Sequence, residues 1–280
     1  MKRVALATSC EYWNLTEDDR LLIPALRALD IEAVAAVWDT STVDWTSFDG
    51  VIVRSCWDYH LRLAEFLAWI ARLECLGVPI QNSPLVLRWN ADKRYLRQLE
   101  AFGTILPPTS WISEDEQVNI GDILAERGWE RAVIKPAVSA TAYNTRCVDR
   151  SEADELVRGP LLIQQFVPEV RTAGEWSMIF IGGQFSHAVR KYPKQGDFRV
   201  QAEFGGREEP ATAGSALVAA AAKILDQAEH TLYARVDGVE QHGQFLLMEL
   251  ELIEPVLFLA LGDAAVRLAR AIQKWVDDCG

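Results

Sequence analysis

Leu232–Pro255, "LYARVDGVEQHGQFLLMELELIEP", reads as two strands joined by a turn at His242 and Gly243. Side chains alternate along a strand, so Phe245, Leu247, Glu249 and Glu251 are expected on one face and Leu246, Met248, Leu250 and Leu252 on the other. The second set is wholly apolar and predicts a core face. The first turns acidic at its end, where Asp237 of the preceding strand can meet it. Two unit charges about 4 Å apart repel by roughly 4 kcal/mol at an effective dielectric of about 20, so three converging carboxylates in an apolar sheet need a cation. Magnesium suits such oxygen ligands: it is held by one or two carboxylates and completes its shell with phosphates and water. Asp237, Glu249 and Glu251 are therefore candidate metal ligands, with a phosphate donor nearby. On an exposed face the same acids would pair with Arg235 or with solvent.

The chain has 280 residues, 50% of them hydrophobic, enough for a large core divided among two or three lobes. With 28 basic against 40 acidic residues the net charge is -12, which argues against general binding to nucleic acid or to an anionic membrane surface. Five scattered cysteines without a CxxC pair point away from a disulfide framework or structural zinc, and fit a reducing cytoplasm. The opening "MKRVALATSC" is too short in its apolar run for a signal peptide, and no run approaches the roughly 20 residues of a membrane span.

Residues 3–8, 31–37 and 50–54 read as strands, with a short one near Val78, separated by helices from Glu17 to about Leu29 and from about Arg62 to Leu76. This alternation predicts an α/β lobe with a mostly parallel sheet, in which ligands sit beyond the carboxyl ends of the strands. "RSCWDYH" (54–60) falls at that edge. Arg54 is a candidate for a substrate carboxylate and Asp58 for an amino group, with their mutual pairing as the alternative, and Arg88 is a further candidate. A helix carrying Lys93 is expected to run to Gly103, and "LPPTSW" to act as a turn or linker. The strand "RAVIKP" ends at Lys135, which is costly to bury without an anion, and the hydroxyl-rich "AVSATAYNT" after it can close over phosphates through backbone amides and Ser139 or Thr141. "LLIQQFVPEV" reads as a buried strand, "GEWSMIFIGGQFSHAVRK" as a hairpin, and Thr212–His230 and Asp263–Val276 as helices.

"NADKRYL", "VIKP", "LIQQFVP", "GEW", "VRK", "GDFRVQAEFGG", "RVDG" and "LMELELIEP", in this order, resemble the ATP-grasp ligases over essentially the whole chain, with glutathione synthetase and the ribosomal-protein glutamate ligases most similar. The resemblance implies an α/β fold of α+β lobes: an N-terminal parallel-sheet domain (1–88), a central ATP-grasp lobe (89–165) and a C-terminal lobe with the metal site (166–280). It also implies that Lys93 and Lys135 contact the phosphates of ATP, beside the loop candidate Ser139, and that the backbone at Gln165, Phe166 and Val167 holds adenine. Glu175 would bind ribose, Arg190 and Arg199 the transferred phosphate or acyl phosphate, and Asp237, Glu249 and Glu251 one or two Mg2+ ions. Glu251 stands where the family often has asparagine, the phosphate loop contains no glycine, Gln165 stands where an acid is common, and Ser177 replaces an arginine of glutathione synthetase.

The activity implied is an ADP-forming carboxylate–amine ligation through an acyl phosphate, on a small amino-acid-like substrate, with Arg199 and Lys135 as the catalytic cations. "RSCWDYH" followed by "RWNADKRYL" also resembles the branch that holds the O-ureido-serine cyclo-ligase of cycloserine biosynthesis, where one molecule supplies both reacting groups. A non-catalytic ATP-binding regulatory module is the remaining alternative. No GxSxG, HExxH or Walker motif supports another chemistry. The resemblance makes a homodimer or homotetramer a reasonable assembly.

Overall fold

The computed structural model describes residues 1–200 and 205–279. β1 (Lys2–Thr8), α1 (Glu17–Arg20), α2 (Leu22–Arg27), β2 (Ile31–Val37), β3 (Gly50–Val53), α3 (Leu63–Cys75) and β4 (Ile80–Gln81) build a parallel sheet of order β2-β1-β3-β4. Thr16 caps α1 by accepting from the Asp19 amide at 3.1 Å. The single helix expected over 17–29 is interrupted at Leu21, since Pro24 has no N–H to donate to the Arg20 carbonyl. Both faces of the sheet are covered, as a parallel sheet requires. Trp38, Trp45, Phe66 and Trp69 fill one side, and Leu22 and Leu26 the other.

α4 (Pro84–Asn90) and α5 (Tyr95–Ala101) follow. Here the expected single helix is broken, and Lys93 lies in the break, where its amide donates to the Ala137 carbonyl at 2.7 Å. Next come β5 (Thr109–Ile112), β6 (Gln117–Asn119), α6 (Ile120–Arg127), β7 (Arg131–Pro136), β8 (Arg146–Asp149), β9 (Leu156–Arg158) and β10 (Leu161–Gln165), in which an antiparallel sheet runs β5-β10-β7-β8. The "LPPTSW" segment is thus a turn that becomes strand at Thr109.

A second antiparallel sheet, of order β13-β12-β11-β14-β15, is built with α7 (Glu169–Thr172), β11 (Glu175–Ile181), β12 (Gln184–Tyr192), β13 (Arg207–Ala211), α8 (Ser215–Leu225), β14 (Tyr233–Gln241) and β15 (Gln244–Glu251). The β11–β12 hairpin turns at Gly182 and Gly183 as expected. The terminal α9 (Ala264–Asp278) returns to the first sheet, where Leu268 and Ile272 join Leu22 and Leu26 in one core.

The deciding strand pair departs from simple alternation. Asp237 stands opposite Glu249 but Gly238 opposite Leu247, so Met248 is an extra residue, a bulge. The bulge reverses the facing of everything beyond it. Phe245 and Leu247 share a core with Leu250 and Leu252, while Glu249 and Glu251 open to a cavity with Asp237. This corrects the expected face of Phe245, Leu247, Glu249 and Glu251. Gly238 makes the bulge possible: a Cβ there would lie 2.3 Å from the Phe245 ring and 2.5 Å from the Leu246 carbonyl oxygen. Gly238→Ala is expected to destabilise by about 3 kcal/mol or more, read as a lower urea midpoint.

Among the described residues the outer edge of β15 has no strand beside it. Side chains take that place: Asn90 donates to the Leu250 carbonyl at 2.8 Å and accepts from the Leu252 amide at 2.9 Å, and the Tyr95 hydroxyl meets both polar groups of Leu250 at 2.9 Å. Asn82 does the same for the Leu252 carbonyl at 2.7 Å and the Leu232 amide at 2.7 Å. "RWNADKRYL" therefore covers a sheet edge, which leaves Lys93, between Asn90 and Tyr95, beside Glu249.

Candidate active site

A cavity of about 480 Å³ lies where the three sheets meet. Its lysines come from three separate elements. Lys93, in the α4–α5 break, pairs with Glu249. Burial opposes its charge, yet Glu249, Glu251 and Glu254 together outweigh that and raise its pKa. Lys135, at the end of β7, donates to Gln164 Oε1 at 3.0 Å, and Gln164 is in turn fixed by donating to Thr109 Oγ1 at 3.1 Å. Burial lowers the Lys135 pKa, Glu249 opposes this, and nearby Lys93 adds to it. Such a buried ammonium favours an anionic partner.

The third is Lys191, which the sequence reading passed over in favour of its neighbour Arg190. Lys191 lies 2.7 Å from Glu175 and 3.1 Å from Asp237, and all three line the cavity. Arg190 turns to the other face of β12, where its guanidinium stacks 4.1 Å from the Trp176 ring and donates to the Ala173 carbonyl at 2.6 Å. A one-residue step along a strand reverses the facing, so the expected place of Arg190 in the cavity is corrected: Lys191 lines it and Arg190 does not. Only the position in "VRK" could have signalled it.

Asp237 is the best-tied acid. It accepts from Ser177 Oγ at 2.5 Å, from Lys191 and from Arg235 at 3.0 Å. Burial alone would raise its pKa, but Arg235, Lys191 and the Ser177 hydroxyl hold it to about 2. Arg235 also pairs with Glu251, whose pKa burial pushes up to about 7, against Arg235 and with the help of Asp237 and Glu249. Glu254, three residues on, is raised well above the ordinary range by burial and by Glu251. Glu175 is raised by burial, with Lys191 opposing.

Each of the proposed metal ligands is thus turned towards a cation, and among the described residues no group of three acids, histidines or cysteines is gathered to hold a metal ion. The donors nevertheless fit magnesium in kind. All are carboxylates, Asp237 and Glu249 are cross-strand neighbours, and the crowding that raises Glu251 and Glu254 is relieved by added positive charge.

Gln165, Phe166 and Val167 line the cavity, with the Gln165 amide bound to the Pro108 carbonyl at 2.8 Å and the Phe166 amide to the Arg131 carbonyl at 3.0 Å. Ser139 lines it too, its hydroxyl 3.4 Å from the Pro136 carbonyl. In the loop after it, Thr141, Ala142 and Asn144 adopt φ of 49°, 54° and 52°, the left-handed conformations that glycine would give without cost. Arg199 reaches the cavity with its guanidinium 2.8 Å from Asp197; the "QAEF" that follows Val200 in its motif lies outside the described residues.

Arg54, Asp58 and Arg88 do not line the cavity. Arg54 is 1% exposed, donates to Asp19 Oδ1 at 2.8 Å and to the Pro255 carbonyl at 2.7 Å, and stacks on Tyr233. Asp58 accepts from the Trp38 indole at 2.9 Å and pairs with Arg62, and Arg88 pairs with Glu74. This corrects the expected substrate contacts: in their stead Trp57, Tyr59, Asp18 and Glu254 face the cavity at that end.

A parallel-sheet lobe and two antiparallel lobes closing on a cavity rich in lysines and acids is the architecture of the ATP-grasp ligases. A model of the N-terminal domain of D-cycloserine synthetase DcsG matches residues 4–82. The cycloserine biosynthesis protein DcsG of Streptomyces lavendulae is 33% identical, covering 96% of this chain and 97% of that protein. A crystal structure of D-cycloserine synthetase DcsG superposes with a TM-score of 0.86 at 28% identity, covering 98% of this chain and 99% of that one. Glutathione synthetase of Prochlorococcus marinus (strain MIT 9313) is 26% identical over 75% of this chain and 70% of its own length. The chain belongs to the DcsG family of ATP-grasp ligases, which are ATP-dependent enzymes.

No helix among the described residues is long and apolar enough to cross a membrane.

Proposed function

We propose that this ligase joins a carboxylate to a nitrogen nucleophile within one small amino-acid-like molecule of the O-ureido-serine type, through an acyl phosphate. The observation that carries the reading is the full-length likeness to a cycloserine biosynthesis protein, which includes the lobe that supplies Trp57, Tyr59 and Asp18 to the cavity. The cavity volume suits a nucleotide and a small partner, within the roughly 300–1,000 Å³ usual for such sites.

A substrate carboxylate oxygen attacks the γ-phosphorus of ATP, the bond to the β-bridging oxygen breaks, and ADP leaves. The nitrogen then attacks the acyl carbon, gives up its proton to solvent, and phosphate departs with the former carboxylate oxygen. Lys93, Lys135 and Lys191 draw the phosphates in and spread the charge that develops on them. Gln164 aims Lys135, and Asp197 holds Arg199 where it lines the cavity. Gln165, Phe166, Val167 and Glu175 receive the adenosine, and Ser139 with its loop covers the phosphates. Asp237, Glu249 and Glu251 would hold one or two magnesium ions, which neutralise phosphate oxygens when bound.

The test is ADP and phosphate release from magnesium-ATP, screened against O-ureidoserine, related O-substituted serines and dipeptide precursors, with the organic product analysed by mass. Release accompanied by a cyclised product of a single substrate is the expected result. A product that sums two molecules would establish intermolecular ligation instead, and nucleotide binding without release for any substrate would favour a regulatory module.

A further inference from the structure

Along the acidic end of β15 and the segment after it, Glu249 pairs with Lys93 and Glu251 with Arg235. Glu254 is different. It lines the cavity, and its carboxylate makes no hydrogen bond or ion pair with any described residue. A carboxylate withdrawn from bulk water without a partner is costly, so a ligand cation is the group that would complete it.

The backbone around Glu254 is fastened from several sides. The Trp57 indole donates to the Glu254 carbonyl at 2.9 Å, Arg54 to Pro255 at 2.7 Å and Arg235 to Val256 at 3.2 Å. Asp18 accepts from the amides of Leu257 at 3.2 Å and Leu259 at 2.6 Å. A side chain presented from so fixed a support is suited to select a ligand by position. Beside it the wall is aromatic and apolar, formed by Trp57, Tyr59, Ile253 and Phe258. Such a surface suits an alkylammonium, whose carbon frame packs against rings, better than magnesium, which parts from its water reluctantly.

We propose that Glu254 is a specificity-determining residue that receives the α-ammonium group of the amino-acid substrate. The assignment rests on the ligase reading above and deepens it. Pairing with Glu254 keeps that nitrogen protonated, hence without the lone pair needed to attack an acyl phosphate, and leaves the nitrogens of the ureido group as the available nucleophiles. Arg54, which does not line the cavity, and Asp18 act here as positioning residues through their hydrogen bonds to the 255–259 segment.

The experiment compares O-ureidoserine with its des-amino counterpart, O-ureido-3-hydroxypropanoate, on the full chain, the wild type and Glu254→Gln, both by calorimetric binding in the presence of a non-hydrolysable ATP analogue and by ADP release. The wild type is expected to favour the amino compound by roughly 10- to 100-fold, the worth of one charge-assisted contact, and Glu254→Gln to lose that preference while its ATP KM and its magnesium dependence stay unchanged. Glu254→Asp, which keeps the charge, should retain part of it and guards against a variant that fails to fold. Equal binding of the two compounds by the wild type overturns the proposal, as does a Glu254→Gln protein that keeps the preference or instead needs more magnesium. Amine-dependent binding without ADP release would leave Glu254 assigned and overturn the ligase chemistry, so the two failures are distinct.

Discussion

Lys135→Ala lowers turnover by about 100- to 1,000-fold, the loss usual when one preorganised charge facing a transition state is removed. Lys135 lies beyond the last apolar residues of β7, inside the cavity, with Gln164 as its hydrogen-bonding neighbour at 3.0 Å. Burial disfavours its charge and no carboxylate among the described residues bonds it directly, so its positive charge is held in readiness for an incoming anion. The fall should appear in kcat more than in the KM for ATP, because Lys93 and Lys191 remain to bind phosphate. Stability should change little, since the variant also removes an ammonium that was costly to bury. Steady-state kinetics with a urea titration on the same preparation checks both halves. A variant with wild-type kcat would remove Lys135 from the chemistry.

Asp237→Asn is expected to abolish measurable turnover and to destabilise the fold by roughly 3 kcal/mol, towards the lower end of the range for breaking a buried ion pair. It sits at the lower end because Lys191 keeps Glu175 and Arg235 keeps Glu251 when their shared carboxylate is gone. The pH dependence has a definite sign. The folded-state pKa of Asp237 is held to about 2, below its ordinary 3.8, so its pairing stabilises the protein above about 3.8 and is lost as pH falls towards 2. Urea midpoints measured down through that window should fall for the wild type and fall less steeply for the variant. Parallel curves would show that Asp237 contributes no charge-dependent stability.

The first sheet was legible because short apolar strands alternate with amphipathic helices, and its central strands β1 and β3 are buried on both faces. The acids of the cavity were legible as a set, since Asp237, Glu249 and Glu251 do meet one another's neighbourhood. Their facing was not. A period of two carries no sign of the bulge at Met248, and Gly238 gives the hint only once its closeness to Phe245 is known. Arg190 and Lys191 are adjacent cations, and strand register alone decides which one faces the cavity. Arg54 and Asp58 lie at the expected edge of the sheet, but partners remote in sequence claim them: Asp19 and Pro255 for Arg54, Trp38 and Arg62 for Asp58. Lys93 was readable as a lysine among charges, whereas its isolation in a helix break follows from Asn90 and Tyr95 gripping β15 on either side of it.

Everything in the reaction turns on transfer of the γ-phosphoryl group to the substrate carboxylate, and isotope labelling reports that transfer directly. With 18O in the carboxylate of O-ureidoserine, turnover with unlabelled magnesium-ATP should deliver one labelled oxygen into each phosphate released. Phosphate free of label would show that ATP is cleaved without passing through an acyl phosphate and would contradict the account.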